Sequence, residues 1–133
     1  GMGWLTRPGV IIMAVIIVAS LSASIVYQKK LAPGAIAPEE FTVLEKSREG
    51  VFFIDVRTDK EVAATGMLRE ARHIPLEKLE DVAAELPKDK EIIIYCANGI
   101  RAEMAHETLD KMDIRNRFLN ETIVIDKQGN YKL

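Results

Sequence analysis

The chain holds a single cysteine, Cys96, and its neighbours suggest covalent chemistry. The residues Cys96-Ala97-Asn98-Gly99-Ile100-Arg101 follow the apolar run Glu91-Ile-Ile-Ile-Tyr95 and precede a helical pattern over Arg101 to Met112. In a parallel sheet, ligand sites lie beyond the carboxyl ends of strands, where the chain turns into a helix. A cysteine placed there meets backbone N–H groups and the positive end of the helix macrodipole. Both favour the thiolate, which is the nucleophilic form. Gly99 lets the loop curl tightly, and Arg101 can set a fixed positive charge over the same cup. The segment therefore reads as an anion cradle, built by Ala97, Asn98, Gly99, Ile100 and Arg101, with a nucleophile at its floor. The plain alternative is a free cysteine that ends a buried strand. The coincidence of strand, Cys, Gly at plus three, Arg at plus five and helix favours the cradle. One cysteine excludes an intrachain disulfide and a multi-cysteine zinc site. His73 and His106 are far apart in sequence, so neither a metal nor another cofactor is expected.

The elements that must position this loop alternate. Glu39 to Arg48 carries Phe41, Val43 and Leu44 and stops at Gly50, which predicts a helix with a glycine cap. Val51 to Val56 is nearly all apolar, as expected of a strand buried on both faces. Thr58 or Asp59 can cap a short helix over Glu61–Ala64. Ala71–Ile74 predicts a short strand ended by Pro75, and Leu76–Leu86 a helix. Met104, Ala105, Thr108, Leu109 and Met112 predict the core face of the helix after the cysteine, with His106 on its solvated side. Phe118-Leu119 and Ile123–Ile125 are later strand candidates, and Asp126–Asn130 a turn. The pattern implies a small α/β domain with a mostly parallel sheet flanked by helices.

The net charge of −2 conceals a split: residues 1–30 carry three basic side chains and no acid, while residues 31–133 carry 15 basic and 20 acidic ones. An acidic body makes nucleic acid an unsuitable partner, because phosphate binding needs a basic face. No charge occurs from Pro8 to Gln28, 21 residues. As a helix this run rises about 32 Å, close to a hydrocarbon core of about 30 Å. The expectation is one hydrophobic helix ahead of the domain, a single-pass anchor meeting the membrane through residues 9–27. A cleaved signal and a buried soluble helix are the alternatives. Arg7 lies before the run and Lys29 and Lys30 after it, and the domain is expected on the extracytoplasmic side, the cytoplasm being the other possibility. The division read from composition is an N-terminal segment 1–30, a Pro/Gly linker 31–38 and a domain 39–133.

Three blocks carry a family resemblance. Tyr95-Cys-Ala-Asn-Gly-Ile-Arg-Ala102 resembles the active-site loop of single-domain rhodaneses (thiosulfate sulfurtransferases), often Tyr-Cys-x-x-Gly-x-Arg. Phe53-Ile-Asp-Val-Arg57 followed by Glu61 resembles their first strand signature, and Ala71-Arg-His-Ile-Pro-Leu76 a later segment. The blocks are correctly ordered and cover roughly residues 38–119. The sequence departs from the family where Gly66-Met-Leu68 replaces Gly-His-Ile, where Glu70 replaces a glycine, and near Asn120-Glu121, where a Gly-Gly pair is absent and a C-terminal helix has little room.

The resemblance implies a rhodanese-like fold and a catalytic Cys96 that carries a persulfide between a small sulfur-donor anion, such as thiosulfate, and a thiol or cyanide acceptor, a protein thiol included. It makes Asp55 and Arg57 structural supports of the site, with direct donor binding by Arg57 the alternative. Glu61 becomes a capping or scaffold carboxylate and His73 a turn or core histidine. A persulfide carrier with weak turnover is a second reading. A phosphatase or arsenate reductase is a third, disfavoured because those loops carry one more residue between Cys and Arg.

Overall fold

The computed structural model describes residues 3, 7–15 and 30–133, and the chain divides into two units, Gly1–Lys30 and Leu31–Leu133. In the first unit, residues 8–15 are helical. Residues 16–29, which hold most of the expected anchor or signal, lie outside the described residues. Among the described residues no helix is long and apolar enough to cross a membrane.

The second unit is built on a parallel five-stranded sheet of β1 (Ala35–Ile36), β5 (Asn116–Leu119), β4 (Glu91–Tyr95), β2 (Val51–Asp55) and β3 (Arg72–His73), in that spatial order. Both edge strands are two residues long, which leaves little edge open to foreign pairing. β4 lies at the centre, and its residues Ile92, Ile93, Ile94 and Tyr95 are buried, because a middle strand of a parallel sheet is covered on both faces. Side chains alternate between two cores. Ile54, Ile92, Ile94 and Phe118 face α4 (Ile100–Lys111) and the short helical turns around α3 (Leu79–Val82). Phe53, Ile93, Tyr95 and Leu119 face α1 (Pro38–Ser47) and the C-terminal segment. There an antiparallel hairpin of β6 (Val124–Ile125) and β7 (Tyr131–Lys132) covers the sheet, with Tyr131 edge-on to Phe41 at 5.8 Å.

Several expectations are corrected. The residues read as a linker contain β1, whose Ala35 and Ile36 are buried against β5. α1 ends at Arg48, itself left-handed at φ 57, rather than at Gly50. Leu76–Leu86 is two 3-10 turns around the single turn of α3, not one helix. On α4 the core face is Ala102, Ala105 and Leu109, while Met104 and Met112 are exposed. This rotation buries small residues, which lets the helix lie close to the sheet. It also turns His106 inward: its Nδ1 is 2.8 Å from Asn116 Oδ1 and its ring packs on Phe118, so it is no solvated histidine.

Candidate active site

β2 and β4 run in register, Asp55 beside Tyr95, so both chains leave the sheet at the same edge. β4 delivers Cys96 there, and α4 begins four residues later. Gly99 makes the turn possible. Its φ is 94°, and a Cβ at this position would come within 2.9 Å of Asn120 Cα. The loop is pinned from that side by the Ile123 N–H, which donates to Ala97 O at 3.0 Å.

The first N–H groups of a helix lack intrahelical acceptors. Here the loop's own side chains accept them. Cys96 Sγ accepts from Gly99 N at 3.1 Å and from Ala102 N at 3.4 Å. Asn98 Oδ1 accepts from Ile100 N at 3.1 Å and lies 4.0 Å from Sγ. The sulfur thus occupies the place of a helix-capping oxygen, aligned with the positive end of the α4 dipole. Cys96 is 1% exposed. Ile100 and Asn98 stand exposed at the mouth of the loop.

Arg101 is not poised over the cup as a free charge. Its guanidinium is closed on Glu61, Nη1 to Oε1 at 2.5 Å and Nη2 to Oε2 at 2.8 Å. Glu61 also completes a capping box on α2 (Asp59–Thr65), accepting from Thr58 N at 3.2 Å and Thr58 Oγ1 at 3.0 Å. The Arg101 fork foremost, and the Thr58 bonds after it, outweigh burial and hold this carboxyl down to about 2. The same fork outweighs burial to raise Arg101, with the nearby carboxylates and Cys96 adding to the effect.

Arg57 and Asp55 form a second, buried pair. Arg57 Nε lies 3.0 Å from both Asp55 oxygens, and Nη2 lies 2.7 Å from Oδ2. The remaining donors go to Thr65 Oγ1 at 2.8 Å and Gly66 O at 2.6 Å. Burial pulls Arg57 down, but the Asp55 carboxylate outweighs it and the guanidinium stays charged. All three side-chain nitrogens are thereby committed within the scaffold. His73 Nε2 reaches Arg57 O at 2.7 Å, a turn histidine holding the same corner. Tyr95 contributes a feature that sequence reasoning passed over: its buried hydroxyl accepts from Leu68 N at 3.2 Å, tying the segment after α2 to the central strand. Burial foremost, reinforced by Asp55, raises its phenol well above the ordinary range. A tyrosine before the cysteine in a buried strand was the available signal. A groove of about 1110 Å³ lies at the opposite end of the sheet, between Ala83–Ile92 and Met112–Arg117, away from the cysteine.

Residues 38–126 match the family model of the rhodanese-like domain, and the chain belongs to that family. It is 37% identical over 57 residues to a sulfurtransferase of Allochromatium vinosum, a match covering 43% of this chain and 52% of that protein. The chain therefore spans about half the length of that relative. It is 32% identical over 102 residues to the uncharacterized protein YqhL of Bacillus subtilis, covering 77% of each. Among solved structures, the rhodanese-like domain protein of Staphylococcus aureus is similar at 26% identity and a TM-score of 0.60, covering 66% of this chain and 85% of that one. At the level of the family the chemistry is sulfur transfer.

Proposed function

We propose that this protein moves sulfane sulfur through a persulfide on Cys96. The observation that carries the reading is the pair of backbone N–H groups, Gly99 and Ala102, converging on Sγ at the start of α4. Donors aimed at Sγ stabilise the thiolate, both before it attacks the donor and when it leaves as the acceptor takes the terminal sulfur, as an oxyanion hole stabilises oxygen. With thiosulfate, Cys96 Sγ attacks the outer sulfur, the S–S bond of the donor breaks, and sulfite leaves with its electron pair. A thiophilic acceptor, cyanide in an assay or a thiol in the cell, then attacks the terminal sulfur and the Cys96 thiolate returns.

Asp55, Arg57 and Glu61 act as supports in this scheme, and residues 97–101 as the cradle. Mass spectrometry after donor treatment should find one added sulfur on Cys96, and Cys96→Ser should abolish thiocyanate formation. Retained thiocyanate formation in that variant, or phosphate release from an aryl phosphate, would overturn the assignment. The reading extends to a single-pass anchor at the N-terminus, supported by the charge-free run Pro8–Gln28. Alkaline extraction of membranes should leave the full chain in the pellet, whereas a shortened, extractable product would point to a cleaved signal.

A further inference from the structure

We infer that the Asn98 side chain is a placeholder for the transferred sulfur: its Oδ1 holds the Ile100 N–H while Cys96 is a free thiol and is displaced when Cys96 carries a persulfide. The inference rests on the sulfur-transfer reading above and adds a positioning residue to it. Asn98 Oδ1 accepts from Ile100 N at 3.1 Å and lies 4.0 Å from Sγ. Only the oxygen end of a carboxamide can accept there, which fixes the way round it sits. Ile100 lies in the chain between Gly99 and Ala102, whose N–H groups are already on Sγ. Three N–H groups of one turn therefore point into one small region, two onto sulfur and one onto the oxygen beside it.

Access decides where a second sulfur goes. Cys96 is 1% exposed and belongs to the core cluster of Ile54, Ile94 and Ala102. Its two N–H partners close another side. Asn98 and Ile100 are exposed, so the loop opens to solvent on their side. In the loading step, Cys96 Sγ bonds to the outer sulfur of a donor, the donor's S–S bond breaks, and the leaving thiolate or sulfite takes the electron pair. A sulfur bonded to Sγ at about 2.05 Å and pointing to the mouth would stand about 2 Å from Oδ1, well inside non-bonded contact. The carboxamide must leave, and the anionic sulfur takes over the Ile100 N–H as acceptor. Asn98 is exposed, so its amide turns into water after giving up a single bond. Before loading, the same amide keeps that helix-start N–H paired and the loop in shape.

Because Oδ1 competes with the incoming sulfur, removing it should favour loading. The chain has one cysteine, so a gain of one sulfur in the intact mass reports Cys96 alone. The full chain is equilibrated with glutathione and glutathione persulfide at a fixed ratio, and its loaded-to-free ratio is read by mass spectrometry. Asn98→Ala should raise that ratio about fivefold, the worth of one side-chain cap on a helix N–H. Asn98→Ser, which keeps a shorter and weaker acceptor, should fall between Asn98→Ala and the unaltered protein. Amide exchange at Ile100 separates a placeholder from a plain cap. In Asn98→Ala it should speed about tenfold in the sulfur-free form and return to the unaltered rate on loading. In the unaltered protein the χ1 rotamer of Asn98, read from three-bond couplings, should change on loading. An unchanged or lowered loaded-to-free ratio in Asn98→Ala, fast Ile100 exchange in both of its forms, or an unmoved Asn98 rotamer overturns the inference. Failure of the unaltered protein to take up sulfur from glutathione persulfide and thiosulfate alike would instead overturn the sulfur-transfer reading itself.

Discussion

Replacing Gly99 by alanine tests the loop most directly, because two separable effects meet there. At φ 94° and ψ −17° an L-residue pays for the left-handed backbone, about 1–2 kcal/mol. Its Cβ would also stand 2.9 Å from Asn120 Cα, a backbone atom that cannot rotate aside. Relieving such an overlap costs typically about 1–3 kcal/mol. The sum, about 2–5 kcal/mol, should lower the melting temperature of a domain of this size by about 8 °C or more. The overlap is relieved by moving the loop away from Asn120, which pulls the Gly99 N–H off Sγ. Sγ gives up charge when it is sulfurated and regains it when the acceptor removes the sulfur; loss of one donor to that developing anion costs about 10²–10³ in rate, so release of the sulfur to an acceptor should slow by about 10². Gly50→Ala supplies the internal control: φ there is 69°, but nothing lies within 4 Å of its Cβ. It should lose only the backbone part, about 1 kcal/mol, with the sulfur-transfer rate intact. Urea denaturation and single-turnover transfer of sulfur from the Cys96 persulfide to cyanide, on both variants, read the two effects separately. If Gly99→Ala matches Gly50→Ala in stability and keeps its rate, the cradle reading fails.

Predictions at three other positions follow from the same geometry. Arg57→Ala leaves the Asp55 carboxylate buried and unpaired, so it should cost about 3–5 kcal/mol in urea denaturation; Arg57→Lys, which keeps charge but loses the fork, should fall between it and the unaltered protein. Glu70 holds φ 64 on the surface, so Glu70→Gly should raise stability by about 0.5–1 kcal/mol, visible as a higher urea midpoint. Glu61 is held down to about 2 from its ordinary value of 4.5. A carboxyl lowered on folding contributes stability that is present above its unfolded value and lost as pH falls through the folded one. The unaltered protein should therefore lose stability between about pH 5 and pH 2, and Glu61→Gln should flatten that part of the profile in denaturation measured against pH.

The strand, turn and cap around the candidate site were legible because local rules decide them. A nearly continuous apolar run of only five or six residues between turn signals reads as a strand covered on both faces, which placed Phe53 and Ile93–Tyr95 in the core, and Thr58 with Glu61 three residues on is a capping pattern readable by eye. Cys96 and Gly99 were readable for the same reason. What escaped depends on contacts between distant segments. The face of α4 turned on which residues could approach the sheet, and the small side chains Ala102 and Ala105 won that contest against Met104, which ordinary hydrophobicity prefers. β1 is two residues inside a Pro/Gly stretch and becomes a strand only because β5 offers a partner. Arg101 was expected to face the cup, but its charge finds a carboxylate 40 residues earlier in sequence, a pairing no periodicity encodes.

The departures from the family pattern are absorbed by backbone contacts that tie the far end of the chain to the site. A Cβ on Gly66 would lie 2.5 Å from Asp126 O, and one on Gly129 would lie 3.0 Å from Met67 O, so the segment after α2 and the hairpin turn touch backbone to backbone. Glu70 keeps a left-handed turn of the kind glycine would adopt, so the substitution alters side chain and stability rather than the path of the chain. The hairpin places Ile125 and Tyr131 over the cluster of Phe41, Phe53 and Tyr95, so a short C-terminal segment covers that face without a helix. Arg57 donates to Gly66 O, and Leu68 N donates to Tyr95 beside the cysteine. The segment held by the hairpin is therefore also the segment that fixes the supports of Cys96, and a change at Gly66 or Gly129 should reach the loop through Arg57 and Tyr95 rather than through any direct contact with sulfur.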